Sequence, residues 1–248
     1  MGERMPEVQV NGSEGLSFTA FISKRNFANF AAWLDMEAQS YKIYFNDGAL
    51  VIADSPEALR GLGNLYFIGD DELQKSFKIL LSSQNNGKPL HFGLICPDPR
   101  ATILQFMEDF TVIQAAGGLV FNKEDQLLTI KRNGLWDLPK GKIERHEDQM
   151  AAALREVMEE TGINMINISD KIGETYHVYY EDDILLLKET HWYLMNSHGK
   201  GTLKPQQEEG ISEVKFADLD WFKTSEFNSY QSVHDVIRKC LSRFKSGV

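Results

Sequence analysis

Cysteine is nearly absent: Cys96 and Cys240 stand alone, far apart and outside any CxxC spacing. That excludes a disulfide framework and a cysteine-based zinc site, and makes a reducing compartment the expectation. Positive charge is also short. Twenty-six Lys and Arg against 36 Asp and Glu leave a formal net charge of −10, so no whole-surface field draws in a nucleic acid polymer or an anionic membrane. Runs of apolar residues stay well below the roughly 18 that a membrane span needs. The opening stretch MGERMPEVQVNGSEG lacks the apolar core of a secretory signal. A soluble cytoplasmic protein is expected. Any polyanionic substrate would be met locally, by bound metal and a few Lys and Arg.

What is present is enough apolar residue, 42% of 248, for one large domain or two modest ones. Residues 1–38 read as an N-terminal extension in which FTAFISKRNFANFAAWLDM has the spacing of a short amphipathic helix. Residues 39–110 read as a small α/β domain. YKIYF and ALVIA flank the turn cluster Asn46-Asp47-Gly48 as a hairpin, Asp71–Leu81 looks helical, LHFGLI is a strand, and ATILQFMEDF a second helix. Nothing in this domain attaches to chemistry. Residues 111–248 form the second domain. TVIQAAGGLVF, QLLTIKR, TYHVYY, ILLLKETHWYLM and EVKFADL read as strands, and Glu147–Thr161 as a helix whose apolar stripe is Met150, Leu154, Val157 and Thr161. A terminal helix carries Val233, Val236, Ile237, Cys240, Leu241 and Phe244. The class is α+β or an α/β sandwich on a mixed sheet.

The segment GKIERHEDQMAAALREVMEETGI, Gly141 to Ile163, carries the chemistry. At 100° per residue, Glu156, Glu159 and Glu160 fall on one helix face, and the stripe above predicts that face to lie opposite the buried one. Three clustered carboxylates repel one another unless a cation shares their site, and hard oxygen donors suit Mg²⁺, with Mn²⁺ as a substitute. Arg155 is placed to fix a carboxylate's orientation. Gly141 and Gly162 mark left-handed geometry or close backbone approach. Taken alone, EVMEE reads as a solvated acidic face.

The complete pattern is more specific. Gly141, five residues, Glu147, seven residues, then Arg155-Glu156-Val157-x-Glu159-Glu160-x-Gly162-Ile163 resembles the Nudix box of the Nudix hydrolase family at each defined position. The resemblance spans about residues 111–225. It implies an α/β/α Nudix sandwich with a mixed sheet, preceded by the small α/β domain, and hydrolysis of a phosphoanhydride in a nucleotide-like polyphosphate. It implies Glu156, Glu159, Glu160 and the carbonyl of Gly141 as metal ligands, and a structural Glu147. Deprotonation of water would fall to Glu159 or to Glu209, which with Glu208 occupies a later loop where the family often places an acid. His146 departs from the glycine common there.

Arg132, Lys140 and Lys142, with Lys131 beside them, are the expected phosphate grip, though each also reads as a surface charge. Trp136, Tyr179, His191 and Trp192 can stack on a base or simply fill core, and His177 reads as a structural histidine. LWDLPKGKIE resembles members acting on dinucleoside or diphosphoinositol polyphosphates. Tyr179, 16 residues past the box, matches the dinucleoside polyphosphate group. ADP-ribose and nucleoside triphosphates are the alternative substrates, and a non-catalytic Nudix ligand sensor the alternative function. The N-terminal domain is expected to serve homodimer formation or to cover the active site.

Overall fold

The computed structural model describes residues 7–11, 17–21, 39–45, 48–62, 65–69, 73–82, 90–199 and 202–245. The chain divides into two compact units, Met1–Thr111 and Val112–Val248.

In the first unit β1 (Glu7–Asn11) pairs antiparallel with β2 (Ser17–Phe21). The helix expected from Phe18 onward therefore does not begin there, and residues 22–38 lie outside the described residues. β3 (Ser40–Phe45) and β4 (Gly48–Ala53) form the expected hairpin, with Asn46 and Asp47 of its turn outside the described residues. β4 and β5 (Leu65–Phe67) both run parallel to β6 (His91–Ile95), giving the order β3-β4-β6-β5. β4 is buried at every position, which is why it reads as an unbroken apolar run rather than an alternating one. α1 (Leu73–Ser82) and α2 (Pro99–Met107) complete the unit. α2 starts where Asp98 accepts the N–H of Ala101 and Pro99 takes a position that needs no donor. Phe77 meets Phe106 and Phe110 edge-on, at 5.0 and 5.5 Å between centroids.

The second unit has the sheet order β13-β8-β7-β12-β11. Its strands are β7 (Thr111–Phe121), β8 (Leu127–Arg132), β11 (Ile166–Glu181), β12 (Ile184–Ser197) and β13 (Ile211–Ala217). Two short strands extend it, β9 (Leu135–Asp137) on β8 and β10 (Lys140–Lys142) on β7. Alternation of side chains splits the core into two layers. Ala116, Val120, Leu128, Tyr193 and Met195 face α3 (Gln149–Thr161), while Leu119, Phe121, Leu127 and Trp192 face α4 (Gln231–Lys245). The unit is an α/β/α sandwich, as expected.

α3 begins at Asp148, whose carboxylate accepts the N–H groups of Met150 and Ala151, and ends at Gly162 in the left-handed region at φ 76°. Its buried face differs from expectation. Met150 and Met158 are exposed, and Ala152, Ala153, Val157, Glu160 and Thr161 are buried. Two alanines let the helix press close to the sheet, so small residues rather than methionines mark the inner face. Burial of Val157 alone contributes about 1.5–3 kcal/mol. Glu160, three residues after Val157, sits beside the inner face rather than opposite it. Among the described residues no helix is long and apolar enough to cross a membrane.

Candidate active site

The site forms where α3 faces β10 and the end of β8. β10 is held against β7, with Gly141 opposite Ala116. A Cβ on Gly141 would collide with the Glu156 carboxylate, so glycine is required for close approach to α3.

Arg155 organises the acids. Its Nε and Nη2 donate to the two oxygens of Glu147, both at 2.7 Å. Its Nη1 donates to Glu156 at 2.7 Å and to Glu159 at 3.0 Å, and its Nη2 donates also to the carbonyl of Lys142 at 3.1 Å. All five guanidinium N–H groups are thereby committed within the protein. Arg155, expected to fix a carboxylate's orientation, holds Glu156 and Glu159 and is a positioning residue in this geometry rather than a catalytic one. Glu147 lies before the helix rather than on it. The Arg155 hydrogen bonds, with the N–H of Glu144, hold its carboxyl down to about 2.

A second guanidinium does the same on the other side. Arg132, at the end of β8, donates to buried Glu160 at 3.0 Å and to Glu209. Glu160 also accepts the backbone N–H of Lys140 at 2.9 Å, yet burial pushes its carboxyl up to about 7, against the pull of Lys140 and Arg132. Burial raises Glu156 too. Glu159 and Glu209 are open to solvent. Glu209 stands on a 3-10 turn (Gln207–Glu209) that ends at Gly210, and the Gly210 carbonyl accepts the N–H of Asn133 next to Arg132. Glu208 is exposed on the same turn.

The four carboxylates of Glu156, Glu159, Glu160 and Glu209 thus gather around two guanidiniums. The donors are hard oxygens, and Gly141 brings its backbone alongside Glu156, so the set fits a Mg²⁺-like ion. It is not a closed cage: among the described residues no group of three His, Cys, Asp or Glu side chains is poised to hold a metal. The two oxygens of Glu160 are both engaged by protein donors.

The expected phosphate grip is only partly free. Lys140 Nζ pairs with buried Asp137, a residue the sequence reading passed over. Arg132 is paired as above, and Lys142 is exposed. Lys188 on β12 was also missed. It stands opposite His177, its Nζ lies 5.5 Å from the Tyr179 ring centre, and burial together with Lys140, Arg132 and Lys142 lowers its ammonium to about 8. A single lysine in the apolar run ILLLKETHW was the available signal. Burial, with Lys188 and Lys140, holds His177 down to about 4 and hence neutral. Tyr179 is partly exposed beside this cluster. Trp136 is core, edge-on to Trp221 at 5.0 Å, and Trp192 is core with its N–H on Thr175. His191 is buried and bonded to Gln114 at 2.8 Å.

A family profile described as NUDIX domain matches residues 112–242, more than half the chain. The chain belongs to the Nudix family. The Nudix match takes in α4, beyond the 111–225 that the box resemblance spans. Among curated relatives, a Bacillus subtilis (strain 168) protein provisionally named an 8-oxo-dGTP diphosphatase is 40% identical over 72 residues, 28% of this chain and 48% of that protein. An RNA pyrophosphohydrolase of Roseobacter denitrificans is 39% identical over 75 residues, 26% of this chain and 46% of that protein. The chain spans about half the length of the curated relatives it matches. A solved MutT protein from Methanosarcina mazei Go1 is 20% identical with a TM-score of 0.45, covering 55% of this chain and 98% of that one. Divalent metals, usually Mg²⁺, are the general requirement of Nudix hydrolases.

Proposed function

We propose that the Nudix unit hydrolyses a phosphoanhydride bond in a nucleotide-linked polyphosphate, with Mg²⁺ or Mn²⁺ held by Glu156, Glu159, Glu160 and the Gly141 carbonyl. The observation that carries this reading is the pairing of Glu156 and Glu159 with Arg155, and of Glu160 and Glu209 with Arg132, where Gly141 closes on Glu156. Bound metal would neutralise charge building on phosphoryl oxygens and supply hydroxide near neutral pH. Glu159 and Glu209 are the exposed carboxylates with room to take a proton from the attacking water. Arg132, Lys142 and Lys188 meet the phosphates, and Tyr179 with neutral His177 offers a face to a base. Three cations close enough for Arg132 and Lys142 to act on Lys188 support a chain of several phosphates over a single one, which favours a dinucleoside polyphosphate. A second reading, the 5′ end of an RNA, draws on the named activity of the Roseobacter relative.

A product-resolved screen separates these. Dinucleoside polyphosphates, ADP-ribose, nucleoside triphosphates, diphosphoinositol polyphosphates and 5′-triphosphorylated RNA would be compared at equal Mg²⁺. The proposal expects the highest kcat/KM on a dinucleoside polyphosphate, and preference for RNA would replace that substrate assignment. Glu159→Gln should lower kcat by about 10²–10⁴-fold with the melting temperature little changed. Near-normal turnover in that variant would remove the metal-site reading.

A further inference from the structure

Arg132 occupies a place of its own among the cations. Lys140 is paired to Asp137, and Arg155 is spent on Glu147, Glu156 and Glu159. Arg132 bridges Glu160, the buried acid at the end of the box, to Glu209, the exposed acid on the loop before β13. The two acids come from distant parts of the chain, and each segment is anchored by its own backbone. Gln206 N–H donates to the Glu160 carbonyl at 3.3 Å, Lys204 N–H to the Thr161 carbonyl at 2.8 Å, and Asn133 N–H to the Gly210 carbonyl at 3.3 Å. With both backbones anchored, the contact between the two segments at this point is made by side chains. A charged carboxylate as buried as Glu160 is costly without a partner, and Arg132 is the side-chain cation paired with it.

We infer that Arg132 is an internal counter-cation, a latch that spans Glu160 and Glu209 in the metal-free protein and is displaced when a divalent ion takes Glu160. Its release then turns the same planar fork toward the substrate phosphates, so that metal binding and phosphate grip are one event. A fork is needed for this, because a point charge cannot serve two separated carboxylates and later a phosphate edge with equal geometry. The inference rests on the proposed metal site.

The test is Mn²⁺ titration of the full chain without nucleotide, comparing the wild type with Arg132→Lys. The substitution keeps the positive charge, and so its repulsion of the ion, but removes the bridge. Arg132→Lys should bind Mn²⁺ roughly fivefold more tightly, the size expected for loss of one partly exposed ion pair. Its melting temperature should fall in the metal-free form and recover toward the wild-type value when Mn²⁺ is saturating. A merely structural Arg132 would give equal or weaker affinity, with the same drop in stability in both forms. Equal or weaker affinity overturns the latch while leaving the metal site standing. If neither protein binds Mn²⁺, the metal-site reading falls and the latch with it.

Discussion

His146 sits in the exposed loop before α3 at φ 69°, a region that costs a β-carbon-bearing residue about 1–2 kcal/mol. That backbone shape explains why glycine is the family's common choice at this position. Here the turn is imposed by Glu147, whose carboxylate is drawn back to the N–H of Glu144 and forward to Arg155. His146→Gly should therefore stabilise the protein by about 0.5–1 kcal/mol, once glycine's freedom in the unfolded chain is set against the relief. That corresponds to a rise in melting temperature of about 1–4 °C. A fall in melting temperature would mean that the histidine side chain contributes more than its backbone costs. At this scale the sequence was most readable where partners are neighbours along one helix. Glu156, Glu159 and Glu160 could be grouped from spacing alone. The pairing of Arg132 with Glu160 and Glu209 could not, because 28 and 77 residues separate the partners and only tertiary packing of a helix and a turn against β8 joins them. Asp137 was passed over although its partner Lys140 is only three residues away, while the surroundings of Lys188 depend on its register with β11.

α3 is the element on which the site depends, and Arg155 ties it to the loop ahead of it. The guanidinium holds Glu147 down to about 2, against an ordinary carboxylate value near 4.5. A depressed folded value means that ionised Glu147 favours the fold. That contribution is complete above about pH 4.5 and disappears as pH falls toward 2. Glu174, held to about 2 chiefly by His191 with Lys171, works in the same window. Melting temperatures measured from pH 6 to pH 2 should drop steeply below 4.5 in the wild type. Glu147→Gln should begin lower at pH 6 and lose less across the acid limb, retaining the share due to Glu174. Parallel curves for the two proteins would show that the Glu147–Arg155 pair adds nothing to stability. The sequence placed the end of α3 correctly at Gly162, but started the helix at Glu147, two residues before Gln149, where Asp148 caps it. Of the expected stripe, Val157 and Thr161 are buried and Leu154 is partly so, but Met150 is exposed, because packing against β7 and β12 favours Ala152 and Ala153 in the first turns. β11 was read only as TYHVYY. Its sixteen residues include bulges near Ser169 and Ile172 that interrupt the alternation on which strand recognition rests.

On the scale of the molecule, a net charge of −10 opposes any polyphosphate, and five of the negative charges lie in the site itself, on Glu147, Glu156, Glu159, Glu160 and Glu209. Against them stand Arg132 and Arg155, both already engaged, and the nearby Lys140 is tied to Asp137. Lys142 and Lys188 remain, and Lys188 is held near 8 by burial and by its cationic neighbours, so it keeps its charge at pH 7 but with little to spare. The balance is thus too negative to receive a chain of phosphates without help. A divalent ion added at about 5 Å from a phosphate oxygen, in an effective dielectric near 20, would shift that balance by about 3 kcal/mol per unit charge before desolvation is counted. Binding of a non-hydrolysable dinucleoside polyphosphate analogue should then weaken by at least roughly 100-fold when Mg²⁺ is replaced by a chelator at constant ionic strength. Calorimetry reads this directly, and the loss should be recovered with Mn²⁺. If the analogue bound equally well in the chelator, the protein's own cations would suffice, and the carboxylates around Gly141 would have to serve something other than a metal-assisted phosphate site.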